Sequence, residues 1–126
     1  MSPAQPIRVL FLCRLNRKRS ATAERIFAKD PELDVRSAGT SEDAMVKVNA
    51  RMLDWADVIF IMEDQQRQSL AALFPEHPAV GRAVCLDIRD EYHFLDPELV
   101  SLLEDRTRPH LEKLKAAQGF SAHGQA

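Results

Sequence analysis

The chain lacks several features that would place it in whole classes of protein. None of its 126 residues falls in an apolar run long enough to cross a membrane, and no signal-peptide pattern precedes the first apolar segment. It contains only two cysteines, Cys13 and Cys85, far apart in sequence. Neither a disulfide framework nor a thiolate metal site is expected from them. His77, His110 and His123 have no partner pattern and are expected at the surface. There is no internal repeat. Nor is there an excess of positive charge: 17 Lys and Arg against 19 Asp and Glu give a net charge of -2, which argues against a general nucleic-acid binder. What remains is a composition of 45% apolar and 29% charged residues, that of one globular domain.

The apolar residues are arranged in an alternating order of elements. Residues 7–12 form an apolar run that predicts a buried central strand, and 20–29 have helical periodicity ending at Asp30-Pro31. Further strands are expected at 33–37, 57–62 and 83–87, with Cys85 as core packing in the last and Gly81 as a turn before it. Helices are expected at 43–54 and 63–74. Another begins at Pro97 behind the N-cap Asp96, with Pro109 expected to kink it or end its first half. This alternation predicts an α/β fold: a single-domain four-stranded parallel sheet with helices on both faces. Residues 1–6 read as a flexible leader, 7–115 as the domain and 116–126 as a disordered tail.

In such a sheet the ligand sits beyond the carboxyl ends of the strands, at the point where strand order reverses. The first strand runs there into Cys13-Arg14-Leu15-Asn16-Arg17-Lys18-Arg19-Ser20. A short loop between strand and helix aims backbone N–H groups and a helix N-terminus at one point, which suits a bound anion. The same field favours a thiolate at Cys13. Five residues separate Cys13 from Arg19, so the loop can curl and bring sulfur and guanidinium onto one tetraoxyanion. That pairing suits phosphoryl transfer through a phosphocysteine. No metal or cofactor is expected, and a thiolate nucleophile implies a reducing, cytoplasmic setting.

Several blocks together resemble the low-molecular-weight protein tyrosine phosphatases. They are Val9-Leu10-Phe11-Leu12-Cys13, Asn16, Arg19-Ser20, Ala23-Glu24, Ser37-Ala38-Gly39-Thr40, Trp55-Ala56-Asp57-Val58-Ile59 and Ile61-Met62-Glu63. The resemblance spans residues 7 to 115 in order and implies a phosphate-binding loop after the first strand. In that loop Cys13 would attack phosphorus and Arg19 would grip the equatorial oxygens. Ser20 would donate a hydrogen bond to the sulfur, and Asn16 would hold the loop's shape in a left-handed backbone conformation. The family's acid stretch corresponds to Asp90-Glu91-Tyr92-His93. It implies Asp90 rather than Asp87 as proton donor, and Tyr92 as an aromatic wall. Arg14, Leu15, Arg17 and Lys18 complete the expected phosphate-binding loop. The implied substrate is a phosphorylated protein or a small aryl phosphate, with inorganic phosphate as product and neither nucleic acid nor membrane as partner.

Departures from the family accompany the matches. Leu15 stands where glycine is usual, Ala21 replaces the usual proline, and Lys18 replaces a second loop cysteine able to protect the nucleophile as a disulfide. Arg14 and Arg17 make the mouth more cationic, and the stretch between Thr40 and Trp55 is short. Two other readings fit the same loop: arsenate reduction, for which only Cys85 offers a second thiol, and a non-catalytic phosphate- or phosphopeptide-binding module.

Overall fold

The structure, a computed structural model, describes residues 5–120. Of the expected leader (1–6) and disordered tail (116–126), residues 1–4 and 121–126 lie outside the described residues; Ala116 and Ala117 instead belong to the last helix, and Phe120 packs against the core. Strands β1 (Ile7–Cys13), β2 (Leu33–Gly39), β3 (Val58–Ile61) and β4 (Val84–Cys85) form one parallel sheet in the order β2-β1-β3-β4. The helices are α1 (Arg19–Phe27), α2 (Ala50–Trp55), α3 (Asp64–Leu73), α4 (Ala79–Arg82) and α5 (Pro97–Ala117). No helix among the described residues is long and apolar enough to cross a membrane.

Strand β1 is apolar along nearly its whole length because both its faces are covered. Successive side chains point to opposite sides. Ile7, Val9, Phe11 and Cys13 join a cluster with Ala23 of α1 and Leu99, Leu103 and Leu111 of α5. Leu10 and Leu12 join a second cluster with Leu53 of α2, Leu70 of α3 and Ala79 of α4. Thus α1 and α5 cover one face and α2 to α4 the other. Phe11 stacks on both Phe27 and Phe60, with ring centroids 5.5 and 5.3 Å apart. Lys115 ties α5 to the α1–β2 connection through Asp30 (2.6 Å) and Glu32 (3.2 Å). Burial alone would lower its proton affinity, but the two carboxylates outweigh that and hold the ammonium above its ordinary pKa.

Several local expectations are corrected. The helix expected over 43–54 is confined to Ala50–Trp55, capped by the Asn49 side chain on Met52 N (2.9 Å). Residues 41–48 take an irregular path instead, because their backbone groups bond to the end of β2 and to the loop after β1. Gly81 lies inside the short helix α4 rather than in a turn. Strand β4 covers only Val84–Cys85, because Asp87 turns left-handed with φ 57°. Cys85 is half-buried rather than fully enclosed, and packs against the cluster opposite Cys13. Helix α5 continues through Pro109, whose ring faces solvent while Leu103 and Leu111 stay buried on either side of it. His77 also differs from expectation. It has partners, bonding Asp54 (2.7 Å) and accepting from Ala79 N (3.1 Å). His110 meets Phe60 edge-on, and His123 lies outside the described residues.

Because β1 lies between β2 and β3, the chain leaves it toward one sheet edge and later returns to the other side. The carboxyl end of β1 is therefore the reversal point, and Cys13 is its last residue.

Candidate active site

Residues 14–18 leave β1, curl, and feed directly into α1 at Arg19. Asn16 stands at the loop's centre with φ 59°, a left-handed conformation that asparagine tolerates better than most residues. Its backbone N–H donates to Cys13 Sγ at 3.2 Å. Its side-chain amide donates to Ser20 Oγ (2.8 Å) and Ser37 Oγ (2.9 Å), and Ser37 in turn donates to Glu24. Ser20 Oγ lies 3.0 Å from Cys13 Sγ. The Ser20 oxygen accepts from Asn16, and its proton has two acceptors in reach, the Cys13 sulfur and the Ala38 carbonyl at 3.3 Å. Around Cys13, then, the polar neighbours supply hydrogen-bond donors, which suits a negatively charged sulfur.

The loop's outer side is braced by the irregular stretch after β2. Thr40, Ser41 and Met45 donate backbone N–H bonds to the carbonyls of Cys13, Arg14 and Leu15, each at 3.0 Å. With the carbonyls held outward, the amides of Leu15, Arg17 and Lys18 have no protein acceptor among the described residues. Gly39 allows the close approach this bracing needs. A Cβ there would lie 2.6 Å from both Arg14 O and Ala44 Cβ, and 3.1 Å from Asn16 N. Gly39→Ala is therefore expected to destabilise the protein by about 1–3 kcal/mol, as overpacking does, and to slow any chemistry at Cys13 by distorting its loop. Gly81→Ala is the control. Its added methyl meets nothing within 4 Å, and thermal melting should show no loss of stability.

Arg19 is 3% exposed. Its Nη1 donates both to Glu63 Oε1 (2.7 Å) and to the Ile88 carbonyl (2.8 Å). Its Nε lies 3.9 Å from Asp90 Oδ1. The guanidinium is thus pinned along one edge, and its remaining N–H groups are left for a ligand. Cys13, Leu15, Arg17, Lys18, Arg19 and Asp90 line one cleft of about 140 Å³. Asp87 is exposed and not among the lining residues; its backbone carbonyl is held by Arg106 instead.

The structure thus brings Cys13, Leu15, Arg17, Lys18, Arg19 and Asp90 together, with Asn16 and Ser20 buried beneath them. Two expected residues stand apart. The Arg14 side chain is exposed, and the loop uses its carbonyl. The Tyr92 ring packs against the α1/α5 cluster, and its hydroxyl donates to Glu98 at 3.3 Å. Desolvation, and then the Glu98 carboxylate, raises that phenol above its ordinary pKa. Glu63, Gly39 and Glu24 contribute to the site without having been assigned a role from sequence. A signal for Glu63 was present: it follows a strand that neighbours β1, so it emerges level with the loop. Among the described residues no group of three His, Cys, Asp or Glu side chains is placed to hold a metal ion.

No protein-family model and no curated protein matches the chain. Solved structures do. The YwlE arginine phosphatase from Geobacillus stearothermophilus is 21% identical, with a TM-score of 0.69 over 92% of this chain and 99% of its own. The tyrosine phosphatase Wzb from Escherichia coli K30, in complex with phosphate, is 21% identical with a TM-score of 0.70 over 85% of this chain and 97% of its own. A low-molecular-weight protein tyrosine phosphatase from T. tengcongensis is 21% identical with a TM-score of 0.64 over 82% and 99%. From its first strand to its last helix, the chain has the fold of the low-molecular-weight protein tyrosine phosphatases.

Proposed function

We propose that the protein is a cysteine-dependent phosphomonoester hydrolase acting on phosphotyrosine in proteins or on small aryl phosphates. The observation that carries this reading is the convergence of the Cys13 sulfur, the pinned Arg19 guanidinium and the Asp90 carboxyl group on one cleft. In the first step the Cys13 thiolate forms a bond to phosphorus as the bond to the leaving phenol oxygen breaks. Asp90 gives its proton to that oxygen. Arg19 and the loop amides hold the equatorial oxygens, where charge gathers in the transition state. In the second step water attacks phosphorus and Asp90 takes its proton. The sulfur–phosphorus bond breaks, releasing inorganic phosphate and restoring the thiolate. No metal is required, because Arg19 and the amides supply the positive field.

Electrostatics favours an aryl over a guanidino leaving group. Arg17 and Lys18 line the cleft with Arg19, and Asp90 is the one carboxylate among the lining residues. A phosphoarginine side chain would bring a cation among three others, whereas a phenol carries none. Arsenate reduction gains no support, since Cys85 packs against the sheet face opposite Cys13. A working thiolate fits a reducing compartment, and we place the protein in the cytoplasm on that ground.

Acid-quenching the reaction with 4-nitrophenyl phosphate and mapping peptides by mass should find one phosphoryl group on Cys13. Turnover with the adduct on another residue would overturn the mechanism. Retained phosphate affinity without turnover would make the protein a binding module.

A further inference from the structure

The Asp90 side chain is half-exposed and, among the described residues, accepts no protein hydrogen bond; it pairs only loosely with Arg19 Nε, at 3.9 Å. The backbone that carries it therefore sets its position. That backbone is anchored within the cleft by Arg19, which holds the Ile88 carbonyl (2.8 Å), and also from outside it. Past β4, Leu86 N and Ile88 N still donate to Ile61 O and Met62 O, each at 2.8 Å. Between these two bonds Asp87 adopts φ 57°, and at the far end of the segment Leu95 adopts φ 63°. Left-handed conformations at non-glycine residues persist where neighbouring contacts hold them. At Leu95 the contact is its N–H bond to Thr22 Oγ1 of α1 (3.0 Å). At Asp87 it is Arg106 of α5. Arg106 Nη1 donates to the Leu86 carbonyl (3.1 Å) and also to the Asp87 carbonyl. Helix α5 is a firm post for this clamp, because Leu99, Leu103 and Leu111 are buried in the core.

We propose that Arg106 is a positioning residue for Asp90, fixing the left-handed turn at Asp87 from which the acid-bearing segment springs. The proposal rests on the assignment of Asp90 as proton donor. Without the guanidinium, Asp87 relaxes toward ordinary backbone angles, and rotation there swings a residue three positions on. A displacement of about 1 Å at a reacting group can cost up to about a hundredfold in rate.

The test is a double-mutant cycle read on two substrates, phenyl phosphate and 4-nitrophenyl phosphate. Phenolate is the poorer leaving group and depends more on proton donation. Asp90→Asn should slow phenyl phosphate about a hundredfold, and 4-nitrophenyl phosphate less. Arg106→Met should lower kcat/KM on phenyl phosphate about tenfold, again less on the nitrophenyl ester, with competitive inhibition by inorganic phosphate nearly unchanged. Arg106→Lys, which keeps a donor on a similar stem, should recover part of the loss. In the Asp90→Asn background, Arg106→Met should cost nothing further. An equal loss of kcat/KM in both backgrounds, or on both substrates, or a loss explained by weaker phosphate binding, would overturn the proposal. If Asp90→Asn itself showed no leaving-group dependence, the acid assignment would fail and the positioning role with it. Thermal melting of each variant identifies any loss due to unfolding. Should Arg106→Met not fold, Arg106→Lys in both backgrounds provides the same comparison.

Discussion

Cys13→Ser is expected to slow hydrolysis of 4-nitrophenyl phosphate by about a thousandfold or more, a loss of the size seen when a catalytic nucleophile is removed. The substitution changes one atom at a residue only 3% exposed, so the fold should survive and the melting temperature should stay close to the parent's. The chemistry should not survive. A serine oxygen must shed its proton to attack phosphorus, and among the described residues no carboxylate or imidazole is hydrogen-bonded to the atom at position 13. Its polar neighbours are the Asn16 N–H, a donor, and the Ser20 hydroxyl, whose oxygen already accepts from Asn16. Donors of this kind stabilise an anion already formed and give no help in making one from an alcohol. Phosphate should still bind, because Arg19 and the loop amides are unchanged. Competitive inhibition or calorimetry with inorganic phosphate, set beside the loss of kcat, would separate the two functions. A serine variant as fast as the parent would remove Cys13 from the mechanism.

The elements that made the nucleophile legible in the sequence are local ones. The run from Ile7 to Leu12 is apolar apart from the exposed Arg8, and the helix that follows starts within the same motif. Loop length alone brings Cys13 and Arg19 together. The surroundings of Arg19 were less legible because they come from other parts of the chain. Glu63 lies just past β3 and Ile88 just past β4, so their contacts depend on strand order and register. The same limit explains the misread stretch after β2. Val46, Ala50 and Leu53 have helical spacing, yet Val46 is exposed and the backbone around it is committed to the ends of β1 and β2. Tertiary hydrogen bonds overrode the local period there. Asp90 was legible only through its place relative to Tyr92. The structure places that aspartate at the cleft and turns the tyrosine toward Glu98.

Arg19→Lys is expected to cost about a hundredfold or more in kcat/KM despite keeping the charge, comparable to losing an oxyanion-hole donor. The reason lies in how many directions the guanidinium serves at once. Nη1 is shared by Glu63 and the Ile88 carbonyl, Nε faces Asp90, and the remaining N–H groups are left for the proposed anion. A planar fork can do this because its donors diverge in fixed directions. A lysine ammonium is a single point on a flexible stem. Seated against Glu63, it leaves the phosphoryl oxygens without their bidentate partner; drawn to the anion, it leaves the Ile88 carbonyl and the Glu63 carboxylate unpaired. The second arrangement also frees the start of the segment bearing Asp90, so proton donation weakens along with phosphate binding. The loss should therefore appear in kcat as well as in KM, with weaker inhibition by inorganic phosphate and a lower melting temperature. Steady-state kinetics on 4-nitrophenyl phosphate measures the first two effects, and thermal denaturation the third. A lysine variant within a few-fold of the parent would mean that position 19 supplies only charge, and that its three-way anchoring has no part in the reaction.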